Sequence, residues 1–249
     1  MNLRTLSALA TGLLLSVSAC SPNSSSPSSS SSPSSSSTTS AWWQFETNAG
    51  NVAINSAGGS NGTYANGATL TAGKVGQGLT LDGVDDFVQM PTTPAIDFGT
   101  GDFSISSWVR TTDTSGVDVI LDKRVKSGAV LQGYSLYSYN GKPGLQLADG
   151  VGEGWTNYIS SIDIADGQWH QVTVTIDRDN PNGGVWYVDG QQRETFNPTG
   201  RQGSLSNSSQ FILGKLSTDD SGYFRGSLDE MRLFGSALAA ADVKALYSP

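Results

Sequence analysis

Few side chains in this 249-residue chain are equipped for acid–base or nucleophilic chemistry. His170 is the only histidine and Cys20 the only cysteine, so a serine or cysteine triad lacks parts. His170 keeps phase with Val172, Val174 and Ile176, which reads as a satisfied core or edge position rather than a general base. Asp229 and Glu230 are neighbours, and neighbours on a strand face opposite sides, so they do not read as a working carboxylate pair. Gly150-Val151-Gly152-Glu153-Gly154 has glycine spacing suited to a phosphate loop, but it precedes no helix and carries a glutamate. It reads as a flexible loop. No catalytic residue is assigned.

Binding chemistry is better represented. A sugar site needs exposed aromatics to stack on pyranose C–H faces and planar polar groups for the hydroxyls. Trp155 sits in the Gly-rich loop Asp149 to Tyr158, beside Asn157 and Tyr158, and Tyr223 closes the loop Asp219-Asp220-Ser221-Gly222-Tyr223. These four are the candidate carbohydrate-binding residues. Tyr137 and Tyr139 share a strand face and are candidates for a concave sheet. The net charge of −8 repels phosphate backbones and disfavours anionic polysaccharides, so no nucleic acid is expected as a partner.

The N-terminus predicts export. A short basic start with Arg4 leads into an apolar stretch, Thr5 to Ala19, too short to span a bilayer. Val17-Ser18-Ala19-Cys20 resembles the lipobox of bacterial lipoproteins. That resemblance implies cleavage before Cys20, lipid attachment to Cys20, and stable anchoring through several acyl chains. Ser21 after the cysteine resembles outer-membrane sorting, which gives a lipid-anchored outer-membrane location with the membrane met through the anchor only. Ser21 to Ser40 holds only Ser, Pro, Thr and Asn23, a composition that cannot bury apolar surface and reads as a disordered tether. The expected organisation is a signal peptide over 1–19, a lipidated cysteine and tether over 20–40, and one domain over 41–249. With Cys20 committed to lipid, no disulfide forms within that domain.

The domain is β-rich. Thirty glycines and a low charged fraction of 14% accompany recurring Val, Thr, Ile and aromatic residues. Period-two alternation is cleanest over His170 to Ile176. Further strands are expected at Trp42–Glu46, Leu79–Leu81, Phe87–Met90, Phe103–Val109, Val117–Leu121, Tyr134–Tyr139, Leu145–Leu147, Val185–Val188, Phe211–Leu213 and Ser227–Phe234. Turn signals separate them, among them Asn140-Gly141, Asp149-Gly150, Asp166-Gly167 and Asp189-Gly190. Ala239, Val243, Leu246 and Tyr247 fall on one helical stripe. The expectation is an all-β, two-sheet antiparallel sandwich with a short C-terminal helix.

An ordered set of motifs then resembles one family. Leu81-Asp82-Gly83-Val84-Asp85-Asp86-Phe87-Val88, Phe103-Ser104-Ile105-Ser106-Ser107-Trp108-Val109, Gly167-Gln168-Trp169-His170-Gln171-Val172, Trp186-Tyr187-Val188-Asp189-Gly190 and Gly226-Ser227-Leu228-Asp229-Glu230-Met231-Arg232-Leu233-Phe234 are similar, in that order, to laminin-G-like, concanavalin A-like jelly rolls. The resemblance implies a jelly-roll fold and places Trp108, Trp169 and Trp186 in the core. It also implies a structural Ca²⁺, held by Asp229, by Asn55 in the loop Asn55 to Gly62, and by Asp82 as a third ligand. A rival for Asp229 is capping by backbone amides. Retaining glycanases on this fold use a Glu-x-Asp-x-x-Glu strand, and no such string occurs here. The expected function is a surface-anchored, non-catalytic, lectin-like module that binds a polysaccharide or glycoconjugate. The alternatives are a protein-interaction or adhesion domain meeting a surface protein, and a glycanase or lyase.

Overall fold

The structure, a computed structural model, describes residues 38–47, 49–152 and 154–248. The signal peptide, Cys20 and most of the tether segment lie outside the described residues. In chain order the strands are β1 (Thr39–Trp43), β2 (Val52–Ala53), β3 (Gly62–Ala65), β4 (Thr69–Ala72), β5 (Gln77–Asp82), β6 (Phe87–Met90), β7 (Phe103–Arg110) and β8 (Val117–Ser127). They continue with β9 (Val130–Tyr139), β10 (Lys142–Asp149), β11 (Thr156–Ile159), β12 (His170–Ile176), β13 (Gly184–Val188), β14 (Gln191–Phe196), β15 (Phe211–Leu213) and β16 (Arg225–Phe234), before helix α1 (Ala240–Tyr247). β1 starts at Thr39, inside the stretch assigned to the tether, because Thr39 pairs with Phe234 on β16.

Two antiparallel sheets form. The first runs β14-β13-β12-β7-β16-β5-β4, with β1 beside β16, and the second runs β11-β10-β9-β8-β15-β6-β3-β2. Alternation explains the sandwich. On β12, Val172, Val174 and Ile176 point inward and are fully buried, and Ile105 and Val109 on neighbouring β7 do the same. The second sheet answers with Leu136, Leu145, Leu147, Phe211 and Leu213. Burial of each such side chain stabilises the fold by about 1.5–3 kcal/mol. The expected hairpin turns hold: Asn140 and Asp189 adopt positive φ, each followed by a positive-φ glycine, the backbone that tight hairpins require.

The outer faces of the two sheets differ. Over the first sheet, α1 and the segment before it lay Leu238 and Val243 on Tyr187 and Phe234. The hydroxyls beneath pair internally: Ser106 Oγ lies 2.8 Å from Thr173 Oγ1, and Ser104 Oγ donates to Ser236 O and accepts from Leu238 N. The outer face of the second sheet has no helix over it among the described residues.

Of the three tryptophans expected in the core, Trp108 and Trp169 need revision. Trp186 is in the core, whereas Trp108 is buried on the outer face of the first sheet, under Tyr247 and the Lys74 ammonium. Trp169 is only partly buried, with the Arg110 guanidinium 4.8 Å over its ring. Trp43, on which the sequence carried no expectation beyond its strand, is a core residue stacked on Phe211.

Candidate functional site

The outer face of the second sheet carries a groove of about 500 Å³ across β8 to β11. Strand alternation builds it. Leu136, Leu145 and Tyr158 turn into the core, so their neighbours Ser135, Tyr137, Gly144, Gln146, Asn157 and Ile159 turn outward. Tyr137 faces Gly144 across the ladder, and a Cβ on Gly144 would sit 2.4 Å from its ring. The absence of a side chain at 144 is therefore what lets the Tyr137 ring lie across β10. Tyr139, Val117 and Ile159 stand at the rim and are exposed. The loop 214–224 borders the opposite side; it is pinned to β8 by Gly214 N donating to Ile120 O and Val119 N donating to Gly222 O.

A chain of polar groups stiffens the floor. Asp122, with 0% exposure, accepts from Arg124 Nε at 2.9 Å and Nη2 at 2.6 Å, a bidentate pair. Arg124 Nη1 donates to Gln146 Oε1, and Gln146 Nε2 donates to Asn157 Oδ1 at 2.8 Å. Ser217 fastens the loop to the same pair: its Oγ donates to Arg124 O and its N–H donates to Asp122 Oδ2. Burial pushes the Asp122 carboxyl upward while the Arg124 guanidinium pulls it down. Burial also pushes the Tyr137 hydroxyl up to about 12, so it stays a neutral donor across the physiological range. Arg124 is the only charged residue lining the groove, and Asp122 neutralises it.

The expected sugar residues separate. Asn157 lines the groove. Tyr158 does not: alternation turns it inward, where it stacks on Phe196 at 4.4 Å. Trp155 immediately precedes β11 and is 50% exposed, outside the groove lining. Tyr223 belongs to the bordering loop, with the Lys215 ammonium 5.7 Å over its ring, while Ser221 and Gly222 reach the groove. Arg124 and Gln146 were missed. The available signal was Asp122 and Arg124, opposite charges two apart on one strand face.

The expected calcium ligands are not brought together. Asp82 stands opposite Arg225 on β16, four positions from Asp229 and so roughly 13 Å away along the strand. Asp229 is capped by amides: Oδ2 accepts from Lys74 N and Val75 N, and Oδ1 accepts from Glu230 N. Asn55 Oδ1 accepts from Trp42 N and Ala57 N. These residues do not fit one shared ion. Asp82 lies instead beside Asp85 and Asp86, with ligand atoms within 4.8 Å.

Asp229 and Glu230 also depart from simple alternation. A bulge between Asp229 and Arg232, with Glu230 at φ 51°, sets both on the outer face of the first sheet. The two residues therefore share a face, but Asp229 is fully buried under its amide caps and Glu230 is held by Trp42 and Arg232, so they form no working carboxylate pair. Burial pushes its carboxyl up to about 7 against those amide bonds. His170 is an edge residue held between Asp189 at 2.9 Å and Asp166 at 3.2 Å. Burial lowers its pKa, and the two carboxylates outweigh that and raise it.

Two stacked antiparallel sheets with this strand order define a jelly-roll sandwich. The chain belongs to the Concanavalin A-like lectin/glucanases superfamily, whose laminin-G-type family model matches residues 82–244. No curated protein sequence matches it. Similar solved structures include the binding domain of Paraclostridial Mosquitocidal Protein 1, with 16% identity and a TM-score of 0.68 over 84% of this chain and 52% of that one. The binding domain of botulinum neurotoxin DC in complex with rat synaptotagmin II has 16% identity and a TM-score of 0.65, covering 85% of this chain and 51% of that one. The same binding domain in complex with SialylT has 15% identity and a TM-score of 0.66, again over 85% and 51%. The chain thus spans about half the length of these structures, and the likeness is one of fold.

Proposed function

We propose that this domain is a non-catalytic carbohydrate-binding module that holds a neutral glycan in the groove of the second sheet. The observation that carries this reading is the exposed Tyr139 ring in the same groove as the Arg124–Gln146–Asn157 hydrogen-bond chain, over a floor that the buried Tyr137 ring completes across Gly144. An aromatic surface next to fixed planar amides is what a pyranose with its hydroxyls requires. The ligand class follows from charge: the one lining charge is neutralised, and the chain is acidic at −8. A non-catalytic role is supported by the groove chemistry. Asp122 is locked under Arg124, and the only histidine is bonded to two aspartates on β12's sheet, not on the groove's. The lipobox-like Cys20 and Ser-rich segment support display from the outer membrane, with the groove free to meet polysaccharide outside the cell.

The test is a glycan array probed with the full-length protein, purified in a non-glycosidic detergent. Neutral oligosaccharides are expected to bind. Tyr139→Ala and Asn157→Ala are each expected to weaken the best ligand about fivefold to tenfold, about 1–1.4 kcal/mol. Exclusive capture of sulfated or uronic glycans would overturn the neutral-ligand reading. A second reading, an adhesion domain for a surface protein, is favoured by the apolar rim of Val117, Tyr139 and Ile159. It predicts a protein partner whose binding no oligosaccharide competes.

A further inference from the structure

Two exposed aromatics belong to the outer face of the second sheet. Tyr139 stands at the groove rim and is 40% exposed; Trp155 is 50% exposed and lies beyond the lining. The side that Trp155 takes follows from its neighbours. A Cβ on Gly154 would meet the Arg201 guanidinium at 2.4 Å, Thr156 Oγ1 accepts from Arg201 Nε at 3.0 Å, and Tyr158 stacks on Phe196. Positions 154, 156 and 158 therefore share one side, and Trp155, Asn157 and Ile159 share the other. Exposure keeps the same period: Gly154, Thr156 and Tyr158 are wholly or partly buried, while Trp155, Asn157 and Ile159 are exposed. Asn157 and Ile159 line the groove, so Trp155 continues its face.

Ladder register measures how far apart the two rings stand. Tyr139 pairs with Lys142 on β10, and Thr156 pairs with Leu147, which sets Trp155 level with Ala148. From 142 to 148 is six positions, roughly 20 Å along the strands. β9 and β11 flank β10, so the offset across the strands is two spacings, about 10 Å, and the diagonal is about 22 Å. Between the two rings the outward positions of β10 are Gly144, Gln146 and Ala148, all buried. The middle strand is thus a low track, with Gln146 Nε2 fixed on Asn157 beside it. Among the described residues, no hydrogen bond or ring contact engages the side chain of Tyr139 or Trp155, so both rings offer a free face.

We propose that the groove extends to Trp155 and takes a straight, linear neutral glycan of about five rings, stacked on Tyr139 at one end and on Trp155 at the other. This rests on the groove reading and adds chain length and linkage to it. With covalent bonds of about 1.5 Å, a pyranose and its glycosidic oxygen advance about 5 Å, so about five rings reach both platforms. Equatorial links keep such a chain straight over that distance, whereas axial links curve it away from one of the two rings. A two-ring ligand reaches one platform only.

The test titrates the full-length protein, in a non-glycosidic detergent, with cello-, manno- and xylo-oligosaccharides of two to seven rings and follows binding by calorimetry. At least one of the three series is expected to gain about tenfold in affinity from two rings to five and little beyond. Tyr139→Ala and Trp155→Ala are each expected to weaken the five-ring ligand about fivefold to tenfold, and in either variant the gain from two rings to five falls below about threefold. Both side chains are exposed, so neither substitution is expected to move the unfolding midpoint. Trp155→Phe, which keeps a stacking face, is expected to recover most of the loss. In ¹⁵N-labelled protein the Trp155 indole resonance, assigned by its absence from Trp155→Ala, is expected to move with the five-ring ligand. Equal affinity for two and five rings, or five-ring binding that Trp155→Ala leaves unchanged, would overturn the proposal. So would binding of none of the three series. Failure of the groove reading shows separately, as neutral-glycan binding on the array that Asn157→Ala leaves unchanged.

Discussion

The outer faces of the two sheets start from the same alternating pattern and end differently. On the first sheet the outward positions of β7 and β12 are mainly serines and threonines, yet Ser104, Ser106, Thr173 and Thr175 are all buried. The segment 234–247 folds back over them and supplies the apolar cover. On the second sheet Ser135, Tyr137, Gln146 and the Asp122–Arg124 pair are buried in the floor of a groove, while Tyr139, Asn157 and Ile159 stay exposed along it with no helix laid across among the described residues. Polarity on one side of a strand therefore does not report exposure. What lies across it decides, and on the first sheet that cover comes from about 60 or more positions further along the chain.

The sharpest test of this contrast is Arg124→Ala. It would leave the Asp122 carboxyl fully buried without its cation, at a cost of about 3–5 kcal/mol by denaturant unfolding. A loss below about 1 kcal/mol, the range of surface pairs, would mean that the groove floor is solvated and the two faces are alike. On the first sheet the counterpart is Val243→Ala. Val243 is fully buried under the helix, and the expected loss is about 2–3 kcal/mol. An unchanged midpoint would show that α1 does not hold that face.

Gly144→Ala sharpens the comparison from the groove side. The added methyl meets the Tyr137 ring, so the expected cost is about 1–2 kcal/mol of overpacking, together with weaker glycan binding. The same substitution at Gly116, where a Cβ meets nothing within 4 Å, serves as a control for space, although its positive φ adds backbone strain. The smallest effect is in pH dependence. Asp229 on the first sheet is raised to about 7 and Asp118 on the second to about 6, each by burial first. The folded state therefore binds these protons more tightly than the unfolded chain does. Their contribution is fully present below about pH 4 and is lost as pH rises toward 6 and 7. Carboxyl NMR titration should find both midpoints well above 4; ordinary midpoints would remove this term.

Much of the frame was legible because alternation and turn chemistry are local. His170–Ile176, Phe87–Met90 and Phe211–Leu213 were read with their observed limits. The short edge strands were not. Gln191–Phe196 is almost wholly polar, and Val52–Ala53 is too short to show a period. The site was less legible for the same reason. Thr156–Ile159 was read as part of a loop, so nothing signalled that Tyr158 would turn inward while Asn157 turned out. The bulge at Glu230 breaks the alternation that would set Asp229 and Glu230 on opposite faces, and no local residue pattern announces a non-glycine at positive φ. The amide caps of Asp229 come from Lys74 and Val75, more than 150 positions earlier, a contact that only the folded sheet reveals.

The central claim is that the open face of the second sheet is the glycan-binding surface. Hydrogen–deuterium exchange of the full-length protein, with and without the neutral oligosaccharide selected on the array, tests it most directly. The account predicts slower exchange in β9 to β11 and in the loop 214–224, with α1 unchanged. Protection confined to α1 or to the loops after β13, with β9 to β11 unaffected, would contradict it.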